Sequence, residues 1–156
     1  MSWEAASIDK EMSHSYYKIW IHAVYSTKGR EPFINPEIER IVYDQKREEL
    51  VELDCPVRII NGMSDHVHLL FLQNPKLPIT DIIKQVKGGT SHWINEQKLI
   101  SEPFAWQTGY AAFSVSESQL ETVYHYIRNQ KEHHREKTFA QEHQELISLH
   151  GLTSKS

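Results

Sequence analysis

Apolar and polar positions change their period several times along the chain, and each change marks an element. From 15 to 27 (SYYKIWIHAVYST) the two kinds alternate, which predicts a strand. Tyr17, Ile19, Ile21 and Ala23 fall on one of its faces, and Tyr16, Lys18, Trp20 and His22 on the other. Gly29, Pro32 and Pro36 punctuate a loop, with Asn35 placed to cap a helix that Pro36 opens. That helix spans 36–53 and carries Ile38, Ile41, Val42, Leu50 and Leu53. Residues 56–61 and 65–73 predict two strands joined by a hairpin at Asn61-Gly62, a pair suited to the positive φ of a tight turn. A second helix follows over 79–97 through Ile82, Ile83, Val86, Trp93 and Ile94, weakened at Gly88-Gly89. A fourth strand is expected over 103–114 with a bend at Gly109. Ser116 with Gln119 then spells a capping box before a last helix over 117–136.

The order β-α-β-β-α-β plus one helix predicts an α+β, ferredoxin-like core: an antiparallel sheet with its helices on one face. Residues 1–12 show no period and read as a flexible leader, 13–140 as a single domain, and 141–156 as a polar tail, a short helix or loose. The first strand, entered from the leader, is expected to leave an unpaired edge open to sheet extension. Many functions share this fold, so function has to come from particular residues.

Composition narrows the field. The 156 residues are 39% hydrophobic and 24% charged, the balance of a globular chain. No apolar run approaches a membrane span and no signal segment stands at the amino terminus. One cysteine, Cys55, excludes a disulfide framework and any multi-cysteine zinc cluster, so a reducing, cytoplasmic setting is expected. The net charge of −4 argues against a protein that coats nucleic acid, but its distribution is uneven. Residues 36–54 hold seven acids and three bases, whereas 12–30 hold Lys18, Lys28 and Arg30 with no acid.

Two constellations carry possible chemistry. In His66-Val67-His68 on the third strand, the imidazoles share a face and Val67 points the other way. Two such rings suit one divalent metal, although a polar strand face that happens to carry two histidines is the plain alternative. On the last helix, Tyr126 and Gln130 are one turn apart on a common face. At ~100° per residue, Tyr126 lies ~110° from the centre of the apolar stripe of Leu120, Val123, Tyr124 and Ile127. Tyr126 is therefore free to face a site, whereas Tyr124 belongs to the core. A phenol with a pKa near ~10 needs a polarised electrophile to act as a nucleophile. A cation on His66, His68 and the Gln130 carbonyl oxygen would polarise a phosphate beside it.

These residues, with H-A-V-Y-S-T-K-G-R-E-P-F (22–33), D-H-V-H-L-L-F (65–71), K-G-G-T-S (87–91), W-Q-T-G-Y-A-A-F-S-V-S (106–116) and Y-I-R-N-Q-K-E-H-H (126–134), carry a resemblance. The chain resembles the single-tyrosine transposases of bacterial insertion sequences, of the IS200-like type. These are members of the His-hydrophobic-His (HUH) endonuclease superfamily. The resemblance implies a ferredoxin-like fold with Tyr126 as nucleophile on a C-terminal helix. It implies His66, His68 and Gln130 as ligands of Mg²⁺ or Mn²⁺. It further implies cleavage of single-stranded DNA beside hairpins at element ends, a 5′-phosphotyrosine link resolved by strand transfer, and a homodimer whose subunits share their active sites. Lys28, Arg30, Lys84 and Lys87 are the candidates for DNA backbone contacts, each with an ordinary solvated charge as the alternative. His22 matches a family position and is expected to have a structural or DNA-positioning role rather than that of a ligand. Trp106 and Tyr110 are expected either to stack on bases or to pack in the core. The competing functions are a non-catalytic single-stranded nucleic-acid binder on the same fold and a metal-sensing protein. Two histidines and a carboxamide are a poor ligand set for the latter.

Overall fold

The computed structural model describes residues 16–132, 137 and 139–152. The expected leader and the end of the helix expected to reach 136 lie outside them. The elements are β1 (Trp20–Ser26), α1 (Glu39–Glu52), β2 (Val57–Met63), β3 (His66–Leu72), α2 (Ile79–Gln97), β4 (Ala111–Val115), α3 (Leu120–Arg128) and α4 (Phe139–Leu149). Short 3₁₀ turns at Lys28–Arg30 and Glu117–Gln119 precede α1 and α3. The four strands form one sheet in the order β2-β3-β1-β4, every pair antiparallel. This is the α+β, ferredoxin-like order expected from the pattern. β1 is interior, with β3 and β4 on its two sides, so the expected free edge is overturned; β2 and β4 are the edges.

The alternation in β1 sorts its residues as predicted. Ile21, Ala23 and Tyr25 join Val67, Leu69 and Phe71 in the larger core, closed by Val42 and Leu50 of α1 and Ile82, Ile83, Val86 and Ile94 of α2. The opposite face holds a smaller cluster, Leu70 and Val115 with Val123 and Ile127 of α3, joined by Leu149 of α4. The two core helices thus share one face, and the two C-terminal helices cover the other.

Several local expectations change. The turn between β2 and β3 falls at Ser64-Asp65, and Asn61-Gly62 lies in the ladder opposite His68 and Val67. Gly62 serves close approach instead: a Cβ there would stand 2.2 Å from the His66 carbonyl oxygen. Asn35 does cap the first helical turn, its Oδ1 accepting from the Glu37 and Ile38 N–H groups and its carbonyl from the Glu39 N–H, and the regular helix runs from Glu39. The fourth strand shrinks to five residues. Gly109 at φ +92° breaks the segment before it, and Trp106 makes only an isolated bridge to Thr27. Ser116 makes no capping bond with its side chain, so the capping box does not form. The last helix is interrupted at Asn129 and resumes over 130–132, and the segment read as a short helix or loose is largely helix α4.

Candidate functional site

The strand pattern aims His66 and His68 at the face covered by α3 and α4, where both are buried. On the edge strand, Asn61 donates from Nδ2 to the carbonyls of Ile127 (2.9 Å) and Arg128 (3.1 Å). The carbonyls that end α3 are satisfied there, and the chain turns at Asn129. Lys131 continues the anchorage, donating to the Gly62 carbonyl and to the side chains of Asn61 and Glu39. Held at both places, the segment turns Gln130 inward and buries it completely.

His66, His68, Gln130 and Tyr126 come together in one chain. Gln130 Oε1 lies 3.2 Å from His66 Nε2, and the Tyr126 ring centre is 5.7 Å from that of His68. Asp65 Oδ1 is 2.8 Å from His66 Nδ1, so Nδ1 carries the proton and Nε2 turns its lone pair toward Gln130. Burial alone would raise the Asp65 pKa, but the His66 N–H and the Arg30 guanidinium hold it below the usual carboxylate range. Gln130 donates from Nε2 to the Tyr126 carbonyl at 3.5 Å, which leaves Oε1 as the atom facing the imidazole.

α4 brings a residue that the sequence did not single out. Glu142, 4% exposed, accepts from the Tyr126 hydroxyl at 2.5 Å and lies 3.5 Å from His68 Nε2. One ligand atom from each of His66, His68 and Glu142 lies within 4.8 Å of the others. Burial opposes the Glu142 charge, but the neighbouring His68, the hydrogen bond from Tyr126 and the nearby His66 outweigh it and push the carboxyl well below its ordinary range. Tyr126 moves the opposite way: burial, then the Glu142 hydrogen bond and charge, raise the phenol well above its usual value. Two imidazoles, a carboxamide oxygen and a carboxylate form a mixed nitrogen and oxygen donor set that fits a divalent cation. A cleft of about 280 Å³ opens beside His66 and Glu142, lined by Arg30, Tyr110, Phe113 and Ile147.

The four basic candidates are placed differently. Arg30 pairs with Asp65 Oδ2 at 3.1 Å, on the residue that orients His66. Lys87 donates to the carbonyls of Gln107 (2.8 Å) and Gly109 (3.0 Å), holding the loop before β4. Lys28 and Lys84 are exposed. Trp106 packs against Tyr25 and Phe104 and donates to the Lys87 carbonyl. Tyr110 is half-exposed at the cleft.

Asp65 was given no role from the sequence either, although its place directly before the histidine pair is a signal that could have found it. Glu142 had no such signal, because it lies in the segment read as tail and no spacing links it to Tyr126.

A split β-α-β sheet with a histidine pair, a tyrosine and a carboxamide gathered on one face is the layout expected of a single-tyrosine transposase. The chain matches the family described as "Transposase IS200 like" over residues 15–130, and it belongs to that family. Among solved structures it is similar to a protein described as a candidate transposase of Deinococcus radiodurans R1. That likeness has 26% identity, 74% of this chain and 93% of that one covered, and a TM-score of 0.61. It also shares the fold of a REP-associated tyrosine transposase bound to a REP hairpin, at 10% identity, 73% and 66% coverage and a TM-score of 0.51. No protein with a curated description matches. Among the described residues no helix is long and apolar enough to cross a membrane.

Proposed function

We propose that this transposase is a metal-dependent single-stranded DNA endonuclease and strand transferase that acts at hairpins on element ends, with Tyr126 as its nucleophile. The observation that carries the reading is the convergence of Tyr126, His66, His68 and Gln130, from two elements distant in sequence, on one buried cluster beside an open cleft. A binder without chemistry has no use for a phenol held against a metal-type donor set.

His66, His68 and Gln130 would hold Mg²⁺ or Mn²⁺, with Glu142 as a further oxygen donor. The bound cation supplies Lewis-acid polarisation of a phosphate oxygen. Tyr126 Oη forms the bond to phosphorus and the phosphorus–O3′ bond breaks. The phenol proton passes to the Glu142 carboxylate that already accepts its hydrogen bond, and the departing oxygen takes up a proton to become the 3′-hydroxyl. The 5′-phosphotyrosine keeps the phosphodiester's energy for rejoining. DNA hairpins are the proposed partner, in line with the hairpin bound by the tyrosine transposase of like fold. A homodimer that shares its sites is also part of the proposal, on the family resemblance.

The test is a denaturing protein gel with end-labelled single-stranded DNA from the element's own ends, run with Mn²⁺ and with EDTA. The expected result is a covalent adduct in Mn²⁺ only, lost in Tyr126→Phe while DNA binding persists. An adduct undiminished in Tyr126→Phe would remove the nucleophile assignment. Binding with no adduct under any metal would favour the non-catalytic binder.

A further inference from the structure

His22 is fully buried in the middle of the sheet, where both ring nitrogens of an imidazole need partners. It stands diagonally from His68 across the β1–β3 ladder, and His22 Nε2 lies 2.9 Å from His68 Nδ1. On its other side, His22 Nδ1 lies 2.7 Å from Nε2 of His150, at the end of α4. Three rings from β3, β1 and the C-terminal helix are thus joined nitrogen to nitrogen. The arrangement is fixed by stacking as well: His150 lies on Phe113 of β4 (4.1 Å, 9°), and His22 on His68 (5.1 Å, 29°). Phe113 itself sits opposite His22 in the ladder.

We propose that His22 is a positioning residue: with His150 behind it, it fixes the tautomer and ring angle of His68 so that the Nε2 of His68 presents its lone pair to a divalent cation. This rests on the metal reading given above. A neutral imidazole has one donor and one acceptor, so in a row of three the choice at one ring dictates the others. For His68 Nε2 to be a ligand, His68 Nδ1 must donate to His22 Nε2. His22 Nδ1 must then donate to His150 Nε2, and the last N–H rests on His150, the half-exposed ring of the three. The opposite polarity puts the proton on His68 Nε2, toward the Glu142 carboxylate at 3.5 Å, where it cannot ligate. The two strand histidines are therefore oriented by different means, His66 by the Asp65 carboxylate and His68 by another imidazole.

The experiment is a Mn²⁺ titration of the full chain without DNA, followed by electron paramagnetic resonance, on wild type, His66→Ala, His68→Ala, His22→Leu, His22→Gln and His150→Phe. Circular dichroism checks that each is folded. We expect binding to be lost in the two alanine variants and about 10–100-fold weaker in His22→Leu, the usual loss for a residue that orients a ligand. His22→Gln, whose amide can still accept from His68, is expected to recover most of it, and His150→Phe, which keeps the stack on Phe113, to lose less than His22→Leu. A folded His22→Leu with wild-type affinity overturns the proposal. Wild-type affinity in His66→Ala and His68→Ala instead overturns the metal reading beneath it. If His22→Leu does not fold, ¹⁵N spectra of the wild-type imidazoles with saturating Mg²⁺ decide: a proton on His68 Nδ1 supports the chain, and one on His68 Nε2 overturns it.

Discussion

Glu142 ties the tyrosine to the histidines, and its replacement has a readable consequence. The carboxylate raises the Tyr126 pKa by hydrogen bond and charge, in addition to burial. In Glu142→Gln the phenol is expected to titrate at a lower pH than in wild type, followed by ultraviolet difference absorbance at the tyrosinate band. An unchanged titration would mean that burial alone sets it. The histidines behind the site make a second prediction. Burial, and then His68 and His150, hold His22 well below its ordinary value, and burial takes His150 down to about 4. The unfolded chain takes up these protons near pH ~6.5, whereas the folded chain does so only at lower pH. Between those values the unfolded state binds more protons, so stability falls as pH drops from 7 toward 4. Glu142 adds the carboxylate case: its contribution is present above the ordinary value near ~4.3 and is lost as pH falls toward its lower folded value. The melting temperature of wild type is expected to decline from pH 7 to 5, and that of His150→Phe to decline less steeply.

Between elements, the sheet face away from the site contains a buried lysine. Lys46 of α1 is fully buried, donates to the Tyr25 hydroxyl at 2.7 Å and lies 3.9 Å from the centre of the Trp106 ring. Burial, and then the charge of Lys87, hold its pKa well below the usual lysine value. The lysine links α1, β1 and the loop before β4, three pieces that no single periodicity connects. Lys46→Met leaves the buried Tyr25 hydroxyl without its donor, at a cost of about 1–3 kcal/mol. Combining it with Tyr25→Phe removes the stranded group, so the double variant is expected to be more stable than Lys46→Met alone in urea denaturation. A double variant less stable than the single would assign the loss to packing on Trp106.

For the whole molecule, the arrangement of the tyrosine matters most. Tyr126 and Gln130 reach the histidines of their own chain, so the cluster is complete within one subunit. The proposed homodimer with shared sites therefore requires α3 to leave this position and enter the partner. The expected outcome of light scattering over a concentration series is a dimer. A monomer at every concentration would remove the shared site and leave the cluster as it stands in one chain.

The sequence alone determined the elements whose pattern is local. The alternation of β1, the exact span of α2 and the common face of His66 and His68 follow from periods of two and 3.6, which any window of the chain displays. The element order β-α-β-β-α-β and the common face of Tyr126 and Gln130 were legible for the same reason. What the tertiary structure decided is every feature that joins distant segments. Asn61-Gly62 carries a turn signal, yet the close passage of β3 and the need to end α3 place it in the ladder. Glu142 and His150 become part of the site only because α4 folds back across the sheet face, and His22 because β1 pairs with β3. Hydrogen bonds between residues 16, 46 or 128 positions apart leave no period in the chain, and they decide which nitrogens and oxygens meet.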